Sequence, residues 1–310
     1  MLTGGSYDWR LRRRPGPWPV VAAFEHGLHA ALPSGLILSL TEQGPQGPLT
    51  VTLARREAHD PTWTEDFRER TVGSGPYGVR LELIFSSERA AISPDRRTLR
   101  VDLRRASPWG RRSPPAAQVS PEVLLANAEA LMRAAWARSA FSLESLVGDS
   151  LRARRIQVLE AIHCLDAPRL RAAFGRTLGL GPGLTPAGDD WAAGLALALR
   201  RLSAGSEEGQ RSVSTVSFAL RVTAATRRTT SFARTVVELA CVGEASSTAL
   251  AAVEDLAGPT QCRGFEPLLT LGHTSGADMG VGIADGARLV AKHNGQTPYP
   301  HRRPFETAVA

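Results

Sequence analysis

Leu180-Gly181-Pro182-Gly183-Leu184-Thr185-Pro186-Ala187-Gly188-Asp189-Asp190-Trp191 sets three glycines, two prolines and two adjacent carboxylates in one short stretch. Glycine reaches backbone angles closed to other residues and proline fixes its own, so the stretch reads as a tight, preset loop. The apolar run Trp191 to Leu202 that follows reads as a helix. A rigid loop that delivers Asp189 and Asp190 to a helix N-terminus can hold a metal ion. It can equally shape a pocket of exposed N–H groups.

The chain nearly repeats this device. Gly272-His273-Thr274-Ser275-Gly276-Ala277-Asp278 leads into a second small-residue helix, Met279 to Lys292. Gly188, Asp190 and Gly194 are spaced two and then four apart, and Gly276, Asp278 and Gly282 share that spacing. Thr185 and Thr274 lie just upstream. Residues four apart share a helix face, and a glycine there admits close approach of another helix or a ligand. Two readings follow. In one, two loop-to-helix elements face each other across a shared site. In the other, both aspartates are N-caps and both glycines pack helices, since Asp is strongly preferred as a cap. The matched spacing favours the shared site.

At 310 residues the chain has room for two domains and a sizeable core. No apolar run approaches bilayer-spanning length, and the N-terminus lacks a signal peptide: Leu11-Arg12-Arg13-Arg14 is followed by Pro15-Gly16-Pro17, and Val20 to Phe24 is too short for an h-region. Cys164, Cys241 and Cys262 lack ligand-like spacing and read as reduced, mostly buried thiols of a cytoplasmic protein. The net charge of +7 invites a nucleic-acid partner, but the arginines fall in dispersed pairs and Lys292 is the one lysine. A binding surface would show a dense stripe interleaved with aromatics. Anionic small molecules or an acidic protein fit this charge as well. The pairs Arg104-Arg105, Arg111-Arg112, Arg154-Arg155, Arg227-Arg228 and Arg302-Arg303 read mostly as solvated faces.

Residues 1–106 read as a small β domain, a barrel or sandwich. Leu36 to Leu40, Leu49 to Leu53, Val79 to Phe85 and Thr98 to Leu103 are strand-like runs between turn clusters such as Gln43-Gly44-Pro45 and Gly73-Ser74-Gly75-Pro76. Alternation in Val79-Arg80-Leu81-Glu82-Leu83 suggests a strand with one wet face. Residues 107–120 read as a linker and 121–292 as a larger helical domain, opened by Ser120-Pro121 as cap and first-turn proline. Helices are expected at Leu151 to Cys164, Pro168 to Phe174, Trp191 to Leu202, Phe232 to Val242, Ser247 to Leu256 and Met279 to Lys292, with Ser203 to Gln210 a polar connection and 293–310 a loose tail. The fold class is therefore α+β.

These motifs resemble the AllH-type subunit family of oxamate carbamoyltransferase. The resemblance rests on Gly181 to Asp190, on Thr229-Thr230-Ser231 with Gly243 beyond, and on Leu271 to Asp278. The block His26 to Leu53 is a weaker match. Ala187 stands where family members often carry Ser, so that hydroxyl is absent. The resemblance implies a subunit of a multi-subunit enzyme of anaerobic allantoin breakdown, part of purine catabolism. That enzyme exchanges a carbamoyl group between oxalurate and phosphate, with other carbamoyltransferase subunits as partners.

Carbamoyl transfer to phosphate needs an anion held near an electrophilic carbonyl and fixed donors for developing charge. The N–H groups around Gly181, Gly183 and Gly188 can cradle an anionic substrate at the helix start. Thr185, Thr229, Thr230, Ser231, Thr274, Ser275 and Gly276 complete the expected substrate-binding set. Asp189 and Asp190 repel a bare anion, so one of them holds a divalent cation such as Mg, or one caps while the other orients a substrate N–H. His273, Asp190 and Asp278 are the candidate catalytic groups, with His273 as acid/base or oxyanion donor. Lys292 at a helix end reads as a dipole partner. The rivals are a magnesium-dependent hydrolase or nucleotide-binding enzyme, the latter without a Walker-type Gly-Lys-Ser/Thr, and a non-catalytic structural subunit whose motifs shape an interface.

Overall fold

The computed structural model describes residues 2–13, 16–24, 27–41, 46–53, 78–88, 97–109, 119–203, 207–226, 229–258 and 265–295. The expected turns at Gln43-Gly44-Pro45 and Gly73 to Pro76 lie outside them. So do Arg111-Arg112, Arg227-Arg228, Cys262 and the tail beyond Gly295.

Eight strands open the chain: β1 (Leu2–Asp8), β2 (Trp18–Phe24), β3 (Gly27–Ala31), β4 (Ile37–Thr41), β5 (Thr50–Leu53), β6 (Arg80–Ile84), β7 (Thr98–Asp102) and β8 (Ser107–Trp109). They form one sheet in the order β5-β4-β3-β2-β6-β7-β1-β8, and β1 also pairs with β5, so the sheet curls back on itself. Leu28, Leu38, Leu40, Val51, Leu81, Leu83 and Val101 fill its interior. Four of the strands were legible as apolar runs. β1, β2 and β3 are interrupted by Gly, Pro, Ser and His and escaped that reading, and β8 falls within the expected linker.

The expected wet face of the Val79 to Leu83 strand is wet only at Arg80, which is exposed, whereas Glu82 is buried. In the parallel β6–β7 register it lies beside Arg100, whose Nε donates to Glu82 Oε2 at 2.7 Å. The alternation is real, but at Glu82 the polar face is covered and its charge is paired. Removing one partner would strip the other of this buried pairing, a far larger cost than the pair's net contribution.

Helices follow: α1 (Pro121–Trp136), α2 (Leu146–His163), α3 (Ala167–Thr177), α4 (Ala187–Leu202), α5 (Glu207–Ala225), α6 (Ser231–Cys241), α7 (Ser247–Leu256), α8 (Glu266–Leu269) and α9 (Ser275–Gly295), so the fold is α+β. Ser120, Ser145, Asp166, Thr230 and Ser246 cap α1, α2, α3, α6 and α7, each accepting a first-turn N–H. α5 was missed because its polar start, Glu207-Glu208-Gly209-Gln210, reads as a connection, although Val213, Val216, Leu220 and Thr223 trace a buried helical stripe. Cys164 is exposed, contrary to expectation. Cys241 is buried, and burial pushes its thiol up to about 12.

The sheet meets the helices at α6 and the start of α7. Ile37 N–H donates to Thr235 Oγ1 at 2.9 Å, and His29 stacks on Phe232 with ring centroids 4.3 Å apart. Ser247 N–H donates to the Gln46 carbonyl at 2.7 Å, and Arg10 bridges Asp8 and Glu244. Among the described residues no helix is long and apolar enough to cross a membrane.

Candidate functional site: three helix starts around buried aspartates

The loop between α3 and α4 turns on Gly179, Gly181 and Gly183, whose φ angles are 81°, 117° and 95°. These lie in the left-handed region that glycine alone enters cheaply. Gly188 serves a different need. A Cβ there would stand 2.1 Å from the Thr177 carbonyl oxygen, because the start of α4 lies directly against the end of α3. Gly276 repeats the arrangement in α9, where a Cβ would meet the Leu268 carbonyl oxygen at 1.8 Å.

α4 and α9 start in the same register. Ala187 and Ser275 open the two helices, Gly188 and Gly276 come second, and Asp190 and Asp278 come fourth. The helices then run side by side in one direction, since Gly282 faces Trp191 and Leu195 while Gly286 faces Leu195 and Ala198. A Cβ at Gly194 would stand 2.1 Å from the Met279 carbonyl oxygen, and one at Gly282 would stand 2.0 Å from that of Trp191. Each glycine thus receives the backbone that follows the other helix's aspartate. The repeated spacing encodes a reciprocal, glycine-lined contact between two parallel helices.

That contact brings two positive helix ends together. Neither Asp190 nor Asp278 is an N-cap: both sit a full turn inside, and α4 begins on Pro186 with no side-chain cap. Asp190 and Asp278 are 3% and 0% exposed and lie close enough for each charge to oppose the other. Thr185 Oγ1 and Ser275 Oγ are 2.9 Å apart, and both hydroxyls hydrogen-bond Asp190. α6 adds a third helix start: Thr230 caps it and donates its hydroxyl proton to the Leu184 carbonyl. Asp189 accepts from Gly179 N–H at 2.6 Å and lies beside the Thr229 hydroxyl. Asp278 accepts from Ala140 N–H at 2.8 Å, which ties the α1–α2 connection to the same cluster.

Burial raises all three carboxyls. Asp189 and Asp278 are pushed up to about 6 by desolvation, against the pull of Thr229 and Gly179 on the first and of Thr274 and Ala140 on the second. Asp190 rises well above the usual carboxylate range, first by desolvation and then by the charges of Asp278 and Asp189. One oxygen of each carboxyl, Asp189 Oδ1, Asp190 Oδ2 and Asp278 Oδ2, is buried without a hydrogen-bond partner. Orphaned buried oxygens are costly and call for a ligand or a function. They are acceptors in search of donors.

The other expected site residues divide by position. Thr185, Gly188, Thr229, Thr230, Thr274, Ser275 and Gly276 surround the cluster, while Gly181 and Gly183 shape the loop, with Gly183 exposed beside Leu184. Ser231 is exposed, and its carbonyl accepts from Thr235 Oγ1 within α6. His273 is exposed on the turn before α9. Among the described residues no three His, Cys, Asp or Glu side chains are placed to hold a metal ion together.

Asp285, unremarked in the sequence, anchors the packing behind the site. It accepts from Trp191 Nε1 at 3.0 Å and from Arg155 Nε and Nη2 at 2.6 Å each. Arg155 also lies over the Trp136 ring, 5.6 Å from its centroid. The expected solvated face of Arg154-Arg155 is therefore corrected at Arg155, a half-buried two-pronged clamp on the buried Asp285. The signal was present, because Asp285 lies seven residues beyond Asp278 and so on its face of α9.

No curated protein and no solved structure matches the chain. Residues 177–287, which run from the end of α3 to within α9 and hold both Gly-Asp elements, match the family model described as oxamate carbamoyltransferase subunit AllH, the family that the motifs resemble.

Proposed function

We propose that this chain is a carbamoyltransferase-type subunit whose aspartate cluster binds the amide end of a small amide-bearing acid. One observation carries the reading: three buried carboxyl oxygens, one each on Asp189, Asp190 and Asp278, lack hydrogen-bond partners at the point where the starts of α4, α6 and α9 meet. A carbamoyl NH2 supplies two N–H donors to such acceptors, while the helix starts favour the negative charge that builds on its oxygen. In transfer to phosphate, a phosphate oxygen bonds to the carbamoyl carbon, the bond from that carbon to the leaving nitrogen breaks, and the nitrogen takes up a proton. Asp190, whose burial favours the protonated form, is the group suited to give that proton. His273, exposed on the turn, is left to meet the anionic end of the substrate.

A magnesium-dependent hydrolase remains the rival, because orphaned carboxylate oxygens also suit a cation. Among the described residues no three acidic, histidine or cysteine side chains are placed to share a cation, which favours the N–H donor instead. Thermal unfolding with oxalurate, oxamate, carbamoyl phosphate and phosphate, each with and without magnesium, separates the two. The expected result is a saturable rise in midpoint with oxalurate or carbamoyl phosphate that Asp190→Asn abolishes. A rise with magnesium alone would move the assignment to the hydrolase. No response to any of them would leave a structural subunit of a multi-subunit complex.

A further inference from the structure

A second candidate site lies away from the aspartates. α3 and the end of α5 enclose a cleft of about 550 Å³ lined by Pro168, Arg171, Ala172, Arg176, Val222 and Thr226, with Gly175 and Thr223 between them. That volume is in the range of small-metabolite sites. Its charge is one-sided, with two arginines and no carboxylate in the lining.

Several arginines of the helical region are spent on acids: Arg138 on Glu266, Arg152 on Asp149, Arg155 on Asp285, Arg169 on Glu160 and Arg234 on Glu238. Arg171 and Arg176 make no ion pair among the described residues, and Arg176 reaches only the amide oxygen of Gln157, at 3.4 Å. Both guanidiniums therefore keep donors for a ligand. The threonine hydroxyls opposite are acceptors, because Thr223 donates to the Ala219 carbonyl at 2.7 Å and Thr226 to the Thr223 carbonyl at 2.6 Å. Pro168, Ala172 and Val222 supply an apolar wall.

We infer that the α3–α5 cleft binds a phosphate-bearing metabolite, its phosphoryl group on Arg171 and Arg176 and its hydroxyl or amino groups toward Thr223 and Thr226. Arginine's planar fork matches phosphate oxygens two at a time, which lysine does not reproduce. This inference is independent of the carbamoyltransferase reading. It has a route to the aspartate cluster, however. Arg176 precedes Thr177, whose carbonyl lies against Gly188, and Thr226 lies three residues before Thr229, beside Asp189. Occupancy of the cleft would thus brace the elements that hold α4 in place.

Calorimetric titration of the full chain with adenosine monophosphate and with pyrophosphate, at ionic strength fixed with potassium chloride, tests the site. Adenosine alone and succinate serve as the unphosphorylated and carboxylate arms. Saturable binding of a phosphorylated probe is expected, weakened at least tenfold in Arg171→Gln/Arg176→Gln and only partly restored by Lys at both positions. With oxalurate saturating, the probes should still bind one to one, which keeps this site distinct from the aspartate cluster. No saturable binding, equal binding of succinate, or binding that survives the double Gln variant with its folded circular dichroism intact would overturn the inference.

Discussion

The chain has two polar junctions, and they respond to protons in opposite directions. At the starts of α4 and α9, Asp189 and Asp278 hold protons more tightly when folded, with values near 6 against an ordinary 3.8. Their contribution to stability is whole below 3.8 and is lost as the pH rises through about 6. At the sheet–helix junction, His29 is buried against Phe232, and burial lowers it to about 4 from 6.5. Its contribution is whole above 6.5 and is lost as the pH falls toward 4. A junction built to stay neutral and well packed is a structural joint. One that stores orphaned carboxyls at three helix starts gives up stability at neutral pH for something else, as strained functional sites do.

The largest test breaks the helix contact on which the aspartate junction depends. Gly282→Ala places a methyl 2.0 Å from the Trp191 carbonyl oxygen, against backbone that cannot move aside. A loss of about 3 kcal/mol or more in urea unfolding is expected, at the upper end for overpacking. Gly183→Ala meets no atom within 4 Å and carries only the strain of φ 95°, so about 1 kcal/mol is expected. Equal small losses would mean that the two helices are less closely engaged than described.

The second test sharpens the contrast in charge. Asp190→Asn should raise the unfolding free energy at pH 8, where the ionised carboxyl is least tolerated by its buried site, and the gain should be smaller at acid pH. A loss of stability at both pH values would show instead that the Asp190 carboxylate holds the fold together.

The smallest effect belongs to the other junction. His29→Leu keeps an apolar contact with Phe232 and cannot titrate. It should remove about 1 kcal/mol of the acid destabilisation between pH 6.5 and 4.5. An unchanged acid limb would place that sensitivity elsewhere. Because the wild-type junctions oppose each other in this window, each variant should tilt the net curve in the direction set by the junction it leaves intact.

Much of the helical half was readable from local pattern. The Gly-Asp-Gly spacing at 188–194 and at 276–282 identified two related helix starts, and the resemblance of residues 181–190 pointed to the family before any contact was known. Ser120-Pro121, Thr230 and Ser246 are caps whose chemistry acts within four residues, so short-range rules suffice for them. The strands β1 to β3 were not readable, because irregular sequences become strands here by pairing with distant partners. β1, for example, joins β5, β7 and β8 at once.

The sequence by itself determined much of the local geometry: where the chain must turn on glycine, that a helix follows each glycine loop, and that the two aspartate elements are alike. Both helices nevertheless begin four residues earlier than their apolar runs, at Ala187 and Ser275. Only the tertiary structure decided what that likeness is for. It showed that Gly194 and Gly282 receive each other's helix backbone, that Asp190 and Asp278 lie inside rather than cap, and that Asp285 and Arg155 lock the pair from behind. The physical reason is range. Turn and capping preferences act over a few residues, whereas desolvation, charge opposition and the loss of hydrogen-bond partners depend on which distant segments close over a group and exclude water from it.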